Sequence, residues 1–154
     1  MNGIRTNYVA ILVSAVVYFL VQAVWYTVFK SQYVAALQRS TAEIQQMQQH
    51  GNTPLPYFVA FVCNLIFAYV LSWAILRSGS ATLIKGALTG AVFAIGFVAT
   101  STLTQYMFEQ RSVELFEINS GAALVGAILM GAILGAWKKR ALVAPTAKAS
   151  QASV

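Results

Sequence analysis

The sequence predicts an all-α, polytopic membrane protein: four transmembrane helices in a compact bundle, with a short amphipathic helix in the first outer loop. Of the 154 residues, 58% are hydrophobic and only 9% are charged, whereas about 25% are charged in an ordinary soluble domain. The apolar residues also fall into four long runs rather than alternating with polar ones. Lipid is therefore a better solvent for this chain than water.

The four runs have the lengths that a bilayer requires. We predict one transmembrane domain over 1–140, followed by a disordered cytoplasmic tail over 141–154. Its spans are 8–29, 55–76, 83–108 and 115–137. At ~1.5 Å per residue, each is long enough to cross a hydrocarbon core of ~30 Å. Four spans place both termini on the same side of the membrane.

The basic residues predict which side that is. Most of them flank the spans on the side that holds the termini: Arg5, Arg77, Lys85, Lys138, Lys139, Arg140 and Lys148. Only Lys30, Arg39 and Arg111 lie on the other side. This bias predicts cytoplasmic termini, and it explains the net charge of +6 without nucleic acid as a partner.

The first connection, residues 30–53, carries the signals of a short helix. Ser40 and Glu43 have capping-box spacing, and Ile44 and Met47 share one face. We expect this helix to lie on the outer surface or to project from it. His50 has no partner ligands nearby in the sequence, so we predict no metal site here.

Polar residues inside the spans form a candidate site. One polar stripe runs along the first span at four-residue steps, through Ser14, Tyr18, Gln22 and Tyr26. Such a stripe faces protein rather than lipid. A buried amide is costly unless it is bonded, so Asn64 should face another helix. The candidate ligand-binding or interhelical polar cluster comprises Tyr18, Gln22, Trp25, Tyr26, Asn64, Thr100 and Thr104.

Small residues recur every four positions in the last two spans. Such seams let helices approach closely in lipid, and they predict tight packing and a homo-oligomer. The third span carries Gly86, Gly90 and Ala94, and the fourth carries Ala123, Ala127, Gly131 and Gly135.

Several short stretches together resemble the bacterial domain-of-unknown-function 1761 family of small membrane proteins. They are Asn7-Tyr8, Trp25-Tyr26, Gly96-Phe97-Val98-Ala99-Thr100, Tyr106-Met107-Phe108-Glu109 and the run from Met130 to Trp137. The resemblance covers most of the chain and implies four helices and a bacterial inner membrane. It implies no activity. Relatives often carry an aromatic residue and a histidine where this chain has Ala122 and Ala123, so it implies no histidine chemistry here.

The function classes can be narrowed. The chain has no metalloprotease, nucleophile or phosphate-loop motif, and no charged residue lies at the centre of a span, where a proton-coupled transporter needs one. We therefore predict a non-catalytic structural or accessory bundle that binds membrane lipids, self-associates and needs no cofactor. One alternative is a small transporter or channel for a neutral or lipophilic solute, which requires a cavity reaching Gln22 and Asn64. Another is a membrane enzyme with an outer-face site at Glu109 and Arg111.

Overall fold

The computed structural model describes residues 6–51, 53–79 and 82–137. All regular structure in these ranges is helical, and four segments are long and apolar enough to cross a membrane. The predicted fold class is confirmed, and the chain is a multi-pass membrane protein. The predictions for Arg5, Lys138–Arg140, Lys148 and the tail 141–154 concern residues outside the described ranges.

Seven α-helices and one π-helical segment make up the described structure. The first connection holds two short helices, and the third span consists of two α-helices joined by the π-helical segment. In chain order the elements are α1 (Tyr8–Val28), α2 (Lys30–Ala36), α3 (Thr41–Gly51), α4 (Pro54–Arg77), α5 (Leu83–Phe93), the π-helical segment (Ala94–Ala99), α6 (Thr100–Phe108) and α7 (Val113–Ala136).

Three of the spanning segments begin at a side-chain cap. Asn7 Oδ1 accepts a hydrogen bond from a first-turn amide of α1 at 3.4 Å. Thr82 and Ser112 do the same for α5 and α7, each at 3.2 Å. These bonds satisfy backbone donors that have no partner within the helix, which is why Asn, Thr and Ser stand at these positions.

The amphipathic helix of the first connection is α3. Ser40 N–H donates to Glu43 Oε2 at 2.9 Å, and Glu43 N–H donates back to Ser40 Oγ at 3.4 Å, which completes the capping box. Bonds from the Ser40 hydroxyl and amide lower the pKa of the Glu43 carboxyl. No residue of α3 is buried, so this helix lies apart from the bundle.

Helix α2 is absent from the sequence prediction. The α-helical course of α1 is interrupted at Phe29, where φ is −93° and ψ is 18°. The chain resumes as α2, and Tyr33 packs edge-on against Tyr26 with ring centroids 5.4 Å apart. This contact and the hydrogen bond from Ser112 Oγ to the Ala36 carbonyl oxygen hold a seven-residue helix that is too short to be stable by propensity alone.

The π-helical segment was also not predicted. A π-helix forms i→i+5 hydrogen bonds, so it takes more residues per turn than the α-helices on either side. Its sequence, AIGFVA, continues the apolar run without a break. Hydropathy alone therefore gives no sign of it.

Helix α7 lies at the centre of the bundle. Half of its most apolar window is buried, against 17–28% for the other three spans. Large side chains on the remaining faces point outward; Leu88 and Val92 of α5, for example, are 60% and 63% exposed. Apolar surface on the outside of a bundle is what a lipid environment requires.

The two small-residue seams contact each other within the chain. A Cβ added to Gly90 would lie 2.0 Å from the Ala127 carbonyl oxygen, and one added to Gly131 would lie 2.1 Å from that of Gly86. The backbones of α5 and α7 thus touch where only small residues fit. The other seam residues, Ala94, Ala123 and Gly135, are buried as well. These seams are occupied inside the chain, so they no longer argue for contact with a second copy.

Candidate functional site

One set of polar contacts joins α1 to α6 and α7 at the end of the bundle that carries α2 and α3, here called the α3 side. The Tyr26 hydroxyl donates to Asn119 Oδ1 at 2.6 Å, and Asn119 Nδ2 donates to the Tyr106 hydroxyl oxygen at 2.7 Å. Beside them, Trp25 Nε1 donates to the Ile118 carbonyl oxygen at 2.9 Å. Uncharged groups therefore cross-link three helices at this end.

A second polar contact lies deeper in the bundle, between α1 and α4. Asn64 Nδ2 donates to Gln22 Oε1 at 3.1 Å, and Asn64 is buried. One turn away, the buried Tyr18 ring packs edge-on against Phe67, with centroids 5.9 Å apart. The stripe of α1 thus faces protein along its length.

Thr100 and Thr104 lie apart from these contacts. The Thr100 hydroxyl donates to the Gly96 carbonyl oxygen at 2.8 Å, and the Thr104 hydroxyl donates to that of Thr100 at 2.9 Å. Both side chains are exposed. The seven candidate residues are therefore not brought together into one site.

Asn119 and Tyr106 were not among the candidate residues. Asn119, like Asn64, is an amide within a span and is costly there unless it is bonded, so it carries the same sequence signal as Asn64. Tyr106 carried no comparable signal, because an aromatic residue near a span end is ordinary interfacial sequence.

A cavity of about 420 Å³, here called the turn cavity, lies between residues 36–39 and 109–112. Leu115 and Ala36, both buried, form part of its lining. Ser112 Oγ donates to the Ala36 carbonyl oxygen at 2.8 Å, which ties the two segments together. Because Ser112 also caps α7, this cavity forms where the third span turns into the fourth.

The charged groups of the turn cavity are Arg39, Glu109 and Arg111. Arg111 Nε pairs with Glu109 Oε2, and the guanidinium carbon lies 5.4 Å from the Tyr106 ring centroid. Gln105 Nε2 donates to Glu109 Oε1 at 2.8 Å. The hydrogen bonds from Gln105 and then Arg111 lower the pKa of the Glu109 carboxyl.

Tyr33 of α2 lies close to these charges. Burial raises the pKa of the Tyr33 hydroxyl, and the nearby Tyr106 hydroxyl acts in the same direction, while the charges of Arg111 and Arg39 oppose the rise. Both arginines are therefore close enough to Tyr33 to affect its ionisation.

Two further cavities open on the sides of the bundle. The first, here called the lateral groove, has a volume of about 420 Å³ and is lined by apolar side chains of the second half of α1, by Phe29 and by Val125 of α7. The other, of about 400 Å³, lies beside Lys85 and Ser78 at the end opposite to α3. Neither these two cavities nor the turn cavity is lined by Gln22 or Asn64.

A family model described as "Protein of unknown function (DUF1761)" matches residues 9–135, most of the chain. The chain belongs to this family. A comparison with curated proteins and one with solved structures found no match. The residues that DUF1761 covers include every lining residue of the three cavities. Membership in DUF1761 confirms the resemblance seen in the sequence, and it carries no assigned activity.

Proposed function

We propose that this chain is a non-catalytic accessory protein of a bacterial inner membrane, with cytoplasmic termini, whose lateral groove holds the acyl chain of a membrane lipid. The lateral groove is the observation that carries this proposal. It lies on a spanning helix, it has essentially no polar lining, and its volume is about 420 Å³.

An acyl chain suits the lateral groove for simple physical reasons. The groove belongs to the half of α1 nearest α3, so hydrocarbon surrounds its mouth. A lipid tail brings no polar group that would need a partner, and it loses no favourable hydration on entering. The hydroxyl or amide groups of a polar solute would find no hydrogen-bond partner there.

The polar contacts support a packed bundle rather than a transport path. The amides at mid-depth, Gln22 and Asn64, bond across α1 and α4 instead of lining one of the three cavities. The enzyme alternative loses support as well. A carboxylate whose pKa is lowered, as in Glu109, is a weak general base at neutral pH.

Native mass spectrometry of the gently extracted full chain tests the lipid proposal. Val125 lines the groove and is 37% exposed, whereas Val70 of α4 is 42% exposed and lines none of the three cavities. We expect Val125→Trp to fill the groove and lose the most tightly retained lipid, and Val70→Trp to keep it.

Equal lipid retention by Val125→Trp and the unaltered chain would contradict the groove proposal. The same spectra report copy number. Self-association stays a prediction, now without the small-residue seams in its favour, and it would have to use other faces of the bundle.

A further inference from the structure

The turn cavity brings two arginines together from distant parts of the chain. Arg39 comes from the linker after α2, and Arg111 from the turn between α6 and α7. A guanidinium group presents a planar fork of donors that matches phosphate and carboxylate oxygens. Two such groups on one cavity of about 420 Å³ favour an anionic ligand.

The acid in this cavity does not cancel both charges. Glu109 already accepts hydrogen bonds from Gln105 and from Arg111 Nε. Its pairing with Arg111 uses the Nε edge of the guanidinium, and the side chain of Arg111 remains 35% exposed. With two arginines and one glutamate on the lining, the described cavity has a net charge of one positive unit.

The arginine from the turn is held in place before any ligand arrives. The Tyr106 ring lies 5.4 Å from the guanidinium carbon, and Tyr106 is itself fixed by Asn119 at 2.7 Å. Ser112 joins the two walls through the Ala36 carbonyl oxygen. A site whose groups are already ordered loses less entropy on binding.

The depth of the cavity indicates the kind of anion. Arg111 lies between the end of α6 at Phe108 and the start of α7 at Val113, so it stands where two spans leave the hydrocarbon. Phospholipid phosphates lie at this level, just outside the hydrocarbon core. The volume is also in the usual range for small-ligand sites, about 300–1,000 Å³.

We infer that the turn cavity binds a phosphate group, with Arg39 and Arg111 as its direct ligands. The phosphate is either the headgroup of an anionic phospholipid or free phosphate, which present the same oxygens to the two guanidinium groups. This site is separate from the lateral groove and does not depend on it.

The test uses the full chain in detergent and two probes, phosphatidylglycerol followed by native mass spectrometry and inorganic phosphate followed by equilibrium dialysis. The variants are Arg39→Gln, Arg111→Gln and the double variant. Lys30→Gln is the matched control, because Lys30 is an exposed cation on the α3 side that does not line the cavity. Diacylglycerol, which lacks the phosphate, controls for binding through the tails.

We expect each arginine substitution to weaken binding of one phosphate probe about tenfold. Lys30→Gln should bind that probe as tightly as the unaltered chain does. Loss for phosphatidylglycerol assigns the site to a headgroup, and loss for inorganic phosphate alone assigns it to the free anion. Far-UV circular dichroism checks folding. If Arg111→Gln loses helix, Arg39→Gln alone decides the question.

Two results would overturn the inference. One is that the double variant binds both probes as tightly as the unaltered chain. The other is that Lys30→Gln weakens binding as much as Arg39→Gln does, because the effect would then come from overall charge and not from the cavity.

Discussion

Gly90 illustrates how single residues determine the closest helix contact in this protein. Its backbone lies against the Ala127 carbonyl, and a methyl group at Gly90 would stand 2.0 Å from that oxygen. The obstacle is backbone rather than the end of a flexible side chain, so α5 and α7 would have to move apart. Every contact along the seam would then weaken together.

We therefore expect Gly90→Ala to destabilise the bundle by about 1–3 kcal/mol, measured by unfolding in mixed micelles. Gly96→Ala is the control, because a Cβ there meets nothing within 4 Å. That change should be close to neutral. If the two substitutions had the same effect, close packing at Gly90 would not be the cause.

At the scale of the elements, the π-helical segment makes the two halves of the third span bury different faces. In a straight α-helix Thr104 would share the face of Gly86, since five turns of about 3.6 residues bring the helix back to the same side. The π-helical segment takes up extra residues and shifts the second half. Thr102 and Tyr106 are half-buried as a result, while Thr104 is exposed.

The shifted half of the third span is what lets α6 join the polar contacts of α1 and α7. Asn119 stands between the other two partners, accepting from the Tyr26 hydroxyl and donating to Tyr106. Hydrogen bonds of this kind between membrane helices contribute about 0.6 kcal/mol on average, and up to about 1.7 kcal/mol.

A double-mutant cycle of Tyr26→Phe with Asn119→Leu should give a coupling free energy of about 0.6–1.7 kcal/mol. Thr27→Val provides the control, since the Thr27 hydroxyl donates to the Ala23 carbonyl oxygen of its own helix at 2.7 Å. Its coupling to Asn119→Leu should be near zero. Zero coupling in both cycles would mean that the Tyr26–Asn119 bond does not stabilise the protein.

For the molecule as a whole, the orientation in the membrane is a prediction from charge. We expect alkaline phosphatase fused after Val154 to be inactive, because cytoplasmic termini keep the enzyme out of the periplasm. The same enzyme inserted after His50, in α3, should be active. The reverse pattern would invert the topology and place the turn cavity on the cytoplasmic side.

The features that the sequence predicted are those encoded locally. Hydropathy and length define the spans, and the four-residue spacing of Gly86 and Gly90 marks a surface for close packing, whatever lies opposite. Which helix packs against that surface is determined by the tertiary structure. The local sequence does not indicate whether Gly86 contacts Gly131 of the same chain or a helix of a second copy of the chain.

The turn cavity could not be predicted for the same reason. Arg39 and Arg111 are 72 residues apart in the sequence, and each alone reads as a solvated residue near a helix end. Their proximity depends on α2, a helix that tertiary contacts sustain, and on the bond between Ser112 and Ala36. Glu109 and Arg111 were recognised as an outer-face pair, but the second arginine was not.

The seam between α5 and α7 also bears on the order of assembly. These helices belong to consecutive spans, and the non-helical residues between them are only those of the turn 109–112, so the two spans pair by closing a short loop once each is helical. Closing a short loop between two helices that have already formed costs little entropy, even though contacting residues such as Gly90 and Ala127 are 37 positions apart in the sequence. The last two spans are thus placed to form a helical hairpin first, a template on which α1 and α4 then dock.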